Sequence, residues 1–271
     1  MALRGQMQRV ADVGYRIALA GEPECARKAA AFGISLDFIE AYQANDRQGV
    51  AELLKLSDYP QIAAVADGSP AEQVGLRAGD DLLAIDGTDT RTLRAASSQE
   101  PLLADQLEQT LMGRSPGGGV DLTVRRTGTV EHLRITPSRG CAARVVVKTG
   151  LGITAFSDGT NIAVSSKLIR FALNDDELAL IIGHELGHII NNDGDASGLQ
   201  QRRQMEDRAD ARGVALVKCA GYDVERSLQF WLRRDAQDWL RLLRDPTHRS
   251  RKKRVELMRA EAAVVRCPIA G

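Results

Sequence analysis

His184, Glu185 and His188 are the residues of this chain whose types and spacing could most directly do chemistry. Histidines at i and i+4 of a helix lie one above the other on one face, about 6 Å apart at Cβ, as two ligands of one tetrahedral metal ion require. A glutamate directly after the first histidine, as in H-E-x-x-H, then flanks the metal as the base for a bound water. The surrounding stretch is apolar, with Leu178, Ile181, Ile182, Leu186, Ile189 and Ile190 recurring at helical spacing. Two imidazoles and a carboxylate buried in such a segment are costly unless they have a partner, and a metal ion is the partner this spacing suits.

The third ligand must come from elsewhere. Extending the motif to H-E-x-x-H-x-x-G-x-x-H needs glycine at 191 and histidine at 194, where the chain has Asn191 and Gly194. The alternative is a carboxylate from a second helix, and 205–216 reads as one with Glu206, Asp210 and Gly213 on a single face. One carboxylate can then bind the metal while the other accepts a hydrogen bond from a ligand imidazole. The helix that holds the histidines begins at Asn174, an N-cap with Glu177 as its reciprocal carboxylate. Strands are predicted at 143–148 and 161–165. Asn161, Ile162, Ala163 and Val164 are read as the sheet edge that holds an extended peptide beside the metal through backbone hydrogen bonds.

His184-Glu185-Leu186-Gly187-His188 followed by Glu206-Asp207-Arg208-Ala209-Asp210 resembles the gluzincin metallopeptidases of the CAAX-prenyl-protease-like family. Ala155-Phe156-Ser157-Asp158-Gly159 and Asp176-Glu177-Leu178-Ala179 are similar to that family too, so the resemblance covers roughly 143–260. It implies one Zn2+ per chain held by His184, His188 and Glu206, with Glu185 as catalytic base and acid and Asp210 orienting a ligand histidine. In the family a threonine-histidine-proline turn followed by arginine sits over the metal. Here His248 and Arg254 keep that separation while Arg249 replaces the proline, so His248 or Arg254 is expected to stabilise the oxyanion or gate the site.

Lys plus Arg and Asp plus Glu both number 36, which gives no global steering toward nucleic acid or an anionic membrane. No apolar run is long enough to span a bilayer. The 271 residues suffice for two domains. Residues 1–56 are read as an N-terminal helical segment, with amphipathic patterns at 6–20 and 36–55, packing on the rest. In 57–138 the texture is β-rich: Gly68-Ser69-Pro70-Ala71-Glu72-Gln73-Val74-Gly75-Leu76-Arg77-Ala78-Gly79-Asp80-Asp81-Leu82-Leu83-Ala84-Ile85-Asp86-Gly87 resembles the core of a bacterial PDZ domain. By that resemblance the module takes peptides by strand addition, with its carboxylate loop near Tyr59-Pro60-Gln61-Ile62. After the Arg139-Gly140 boundary, 141–271 forms the metallopeptidase domain. The expected fold class is α+β, a zincin-like domain of helices plus a small sheet with an inserted β-rich PDZ domain.

Cys25, Cys141, Cys219 and Cys267 hold no C-x-x-C pair, and four cysteines allow three connectivities of two bridges. In an oxidising compartment Cys25 is expected to pair with Cys141, which leaves Cys219 for Cys267. A periplasmic or cell-envelope location follows if a targeting segment has been removed, a cytoplasmic one otherwise. The chain is thus expected to be a zinc metalloendopeptidase acting on protein or peptide substrates, with the PDZ-like module regulating access or targeting substrate. The competing expectation is a peptide-binding module or holdase with a latent or structural zinc site.

Overall fold

Residues 3–93, 102–236 and 249–267 are described by the computed structural model, and they sort into two units. The first comprises the stretch up to Tyr15 with Lys28–Gly140; the second comprises Arg16–Arg27 with everything from Cys141. The N-terminal helix α1 (Leu3–Gly21) contributes to both.

In the first unit the chain continues through β1 (Lys28–Ala31), β2 (Ile34–Asp37), α2 (Arg47–Leu54), β3 (Gln61–Val65), α3 (Pro70–Gln73), β4 (Asp81–Ile85), β5 (Thr88–Asp89), α4 (Leu103–Met112), β6 (Val120–Arg126), β7 (Thr129–Ile135) and β8 (Ser138–Cys141). The main sheet has the order β2-β3-β4-β6-β7, with β5 on β4, while β1 and β8 form a separate pair. The β6–β7 hairpin turns at Thr127 and Gly128, both at positive φ (47° and 88°), the conformation a two-residue hairpin loop of matching twist demands. Ser69 caps α3 by accepting from the Glu72 N–H, and Pro70 fits the first helical position because its missing N–H would have had no partner there. Ile62, Leu82, Ile85, Leu122, Val124 and Ile135 project from the sheet into a core closed by Leu103, Leu107 and Leu111 of α4. β3 pairs with β4 only at Gln61, opposite Asp81. Where the strands part, the Gln8 side chain of α1 donates to the Val65 carbonyl and accepts from its N–H. These bonds satisfy backbone groups that a sheet neighbour would otherwise take.

Two expectations fail in this unit. The amphipathic pattern at 36–55 is not one helix: Leu36 and Phe38 are buried by the sheet, turn residues 43–46 break the run, and α2 buries none of its residues, with Leu53 80% exposed. A helical period can run across segments that fold as separate elements. The proposed carboxylate loop at Tyr59–Ile62 leads into β3, which lies inside the sheet. The edges of that sheet are β2 and β7, and α4 packs against β2.

The second unit contains β9 (Arg144–Lys148), β10 (Ala155–Ser157), β11 (Asn161–Ser165), α5 (Ser166–Phe171), α6 (Asp175–Ile190), α7 (Leu199–Cys219), α8 (Val224–Ala236) and α9 (Arg251–Val264). The strand order is β10-β11-β9, antiparallel then parallel. Asn161, Ile162, Ala163 and Val164 are therefore central, hydrogen-bonded on both sides, and cannot be the substrate edge. The edge beside α6 is β10, which the sequence left inside a loop because three residues are too few to show an alternating pattern. α6 is capped by the Asn174 side chain and is buried continuously from Asp176 to Gly187. Cys25 is bonded to Cys141, and Cys219 to Cys267, with Cα separations of 5.5 and 5.1 Å. No helix among the described residues is long and apolar enough to cross a membrane.

Candidate metal centre

The site is built where α6 and α7 touch through their backbones. A Cβ on Gly213 would stand 2.8 Å from the His184 nitrogen, one on Gly183 2.9 Å from the Gly213 oxygen, and one on Gly187 3.0 Å from the Ala209 oxygen. Only glycine permits this approach. It is why residues one turn apart on α6 and one turn apart on α7 reach each other.

The His184 and His188 Nε2 atoms lie 3.3 Å apart, and Glu206 Oε2 lies 3.4 and 3.8 Å from them. A tetrahedral ion with bonds of about 2.0–2.1 Å has ligand-to-ligand edges of about 3.3 Å, so this N,N,O set fits zinc with a fourth position left for water. Nδ1 of His184 bonds Asp210 at 3.0 Å, and Nδ1 of His188 bonds Asp193 at 2.9 Å. With both Nδ1 atoms held by carboxylates, both Nε2 lone pairs face the common centre. Burial alone would lower the His184 pKa, but its bonds to Asp210 and Glu206 carry it up to about 9. Uptake of a metal at neutral pH therefore displaces a proton.

Asp210 is in turn gripped by Arg254, whose Nε and Nη2 donate to its two oxygens at 2.6 Å each. Burial raises the Asp210 pKa, and the adjacent guanidinium more than reverses this, holding it well below the usual carboxylate range. Arg254 also stacks on Trp231, 3.9 Å from the ring centroid. Two donors of Arg254 and its planar face are thus engaged by Asp210 and Trp231, and the residue also lines the cavity beside His184 and Glu185. His248 lies outside the described residues.

A cavity of about 320 Å³ opens beside His184 and Glu185, walled by Ile153, Thr154, Ala155, Ile181 and Trp231. The structure thus brings together His184, Glu185, His188, Glu206 and Asp210, and it adds Asp193 and β10, which the sequence reading missed. The signal for Asp193 was its place just past the end of the histidine helix.

An H-E-x-x-H helix packed on a second helix that supplies a glutamate is an arrangement able to hold one metal ion. Residues 137–201 match Peptidase family M48, and residues 61–98 match the PDZ domain. The segment that carries the H-E-x-x-H motif is thus similar to a peptidase family, and the strand-rich segment before it to a PDZ domain. No curated protein gave a significant match. Among solved structures, the HtrA-type protease AlgW with decapeptide shares 20% identity over 41% of this chain and 30% of its own, with TM-score 0.31. The serine endoprotease from Yersinia pestis shares 18% over 30% and 25%, with TM-score 0.24. The HtrA3 PDZ domain bound to a phage-derived ligand shares 19% over 42% and 89%, with TM-score 0.30. The chain thus spans less than a third of the length of the first two.

Proposed function

We propose that this chain is a zinc-dependent endopeptidase in which His184, His188 and Glu206 hold the ion and Glu185 moves the protons. The observation that carries the reading is the convergence of three ligand atoms at tetrahedral-edge distances, with each imidazole backed by a carboxylate. When bound, zinc polarises the scissile carbonyl and lowers the pKa of a coordinated water to about 7. Glu185, on the cavity wall next to His184, takes the proton from the attacking water and returns it to the leaving amine. The free edge of β10 aligns the substrate backbone, and Phe156, 48% exposed on that strand, offers it an apolar contact. The two disulfides favour an oxidising compartment such as the periplasm or cell envelope.

The PDZ unit is proposed to capture protein or peptide partners along β2, and so to target substrate or regulate the peptidase. One feature of this chain bears on that role: the Leu36 N–H on β2 already donates to the carboxylate of Glu108 on α4. An added strand must displace Glu108 before it can pair there.

The test is hydrolysis of a fluorogenic peptide library by protein with matched zinc content, with and without chelator, beside Glu185→Gln. Turnover lost on chelation, and reduced about 10²- to 10⁴-fold in the variant with zinc retained, is expected. Equal turnover by Glu185→Gln would refute the assignment. Zinc binding with no turnover by the unaltered protein would favour a peptide-binding module with a structural ion.

A further inference from the structure

The end of α6 does more than stop a helix. Asn192 takes the left-handed conformation (φ 52°), the Asn192 N–H bonds the Ile189 carbonyl, and the Asp193 N–H bonds the His188 carbonyl. This is the Schellman pattern, in which the residue two past the cap is brought back over the residue whose carbonyl its N–H meets. That contact is usually apolar. Here it joins Asp193 to His188 itself, and the Asp193 Oδ2 accepts from the imidazole Nδ1 at 2.9 Å. The other oxygen, Oδ1, accepts from Arg208 on α7 at 2.7 Å. The Asp193 side chain is only 4% exposed, and Arg208 stands two residues beyond Glu206.

We propose that Asp193 is a positioning residue for the metal centre, orienting His188 and, through Arg208, tying the end of the histidine helix to the helix that supplies Glu206. The inference rests on the metal reading above and extends it to a residue outside the H-E-x-x-H and E-x-x-A-D motifs. The site then has two matching supports, His184–Asp210–Arg254 and His188–Asp193–Arg208, each a ligand imidazole, a carboxylate and a guanidinium. They differ in exposure. Arg254 is buried, whereas the Arg208 side chain is 52% exposed, so the second support is the one that solvent reaches. Carboxylates behind metal-bound histidines fix the tautomer and raise ligand basicity, and their removal typically lowers metal affinity about 10- to 100-fold.

The experiment measures zinc affinity by chelator competition and the visible spectrum of the cobalt-substituted full chain for Asp193→Ala, Asp193→Asn and Asp207→Asn. Circular dichroism and melting curves check that each is folded. Asp193→Ala is expected to bind zinc about 10- to 100-fold more weakly and to shift the cobalt bands. Asp193→Asn keeps an acceptor oxygen but loses the charge, so its loss should be smaller; it decides the matter if the alanine variant does not fold. Asp207→Asn removes an α7 carboxylate that bonds Arg249 and no ligand, so its affinity should match the unaltered protein. Folded Asp193 variants with unchanged zinc affinity and cobalt spectrum would overturn the inference and leave the zinc site standing. Failure of the unaltered protein to bind metal would overturn both.

Discussion

Replacing Gly213 by alanine tests whether the close approach of α6 and α7 is what assembles the site. The new methyl would stand 2.8 Å from the His184 nitrogen and 2.9 Å from its Cα, against 3.4–4 Å for ordinary contact, and both atoms are backbone that cannot rotate away. The helices must part by about 0.6 Å or more. The same displacement carries Glu206 away from both imidazoles, beyond the roughly 0.2 Å by which metal bonds usually vary. Overpacking of this kind costs about 1–3 kcal/mol, and alanine's better helix propensity returns about 1 kcal/mol, so the metal-free protein is expected to stay folded. Binding zinc must then pull the helices back together against that strain. At 1.4 kcal/mol per factor of ten, the affinity should fall about 5- to 150-fold. Chelator competition with zinc reads the loss, and melting with and without zinc reads the smaller gain in stability on metal binding. Gly49→Ala, on a helix with open space around it, controls for propensity and should leave the affinity unchanged. Gly213→Ala protein that binds zinc as tightly as the unaltered chain would refute the argument.

Three further outcomes are expected. In metal-free protein the Asp210 pKa is depressed in the folded state, so its contribution to stability is fully present above the unfolded carboxylate value and is lost as pH falls through the folded one. Urea unfolding of the unaltered chain and of Asp210→Asn should accordingly differ most at neutral pH and converge in strong acid; a gap that widens on acidification would reverse the sign. Glu108→Ala frees the Leu36 N–H on the edge of β2 and should tighten peptide binding to the PDZ unit, read by fluorescence anisotropy; weaker binding would make Glu108 a contact rather than an obstacle. Cys267→Ser opens the bridge that ties the end of α7 to the chain beyond α9. It should cost about 2–4 kcal/mol in denaturant unfolding, and an unchanged midpoint would argue that Lys218, bonded to the Ala262 and Val265 carbonyls, holds that junction alone.

What the sequence determined by itself is the part of the site written within single helices. His184 and His188 share a face because they are four apart, Glu185 is adjacent by covalent necessity, and Asn174 caps the helix through Glu177. Glu206 and Asp210 were legible for the same reason, as one face of one helix, and the long turn-rich run at 68–87 carried the PDZ resemblance. Everything that depends on which element lies beside which was decided only by the tertiary structure. The short apolar run at 162–164 reads as a strand but does not say whether both its sides are paired, so the edge had to be found at β10. Arg254 looked like a free cation until Asp210, 44 residues away in sequence, closed on it. Asp193 is visible in the sequence only as a polar residue after a helix; its role needs both the left-handed turn at Asn192 and Arg208 from the next helix. Local spacing fixes direction on a helix or strand, whereas hydrogen-bond partners across elements depend on packing, here on three glycines that let two backbones touch.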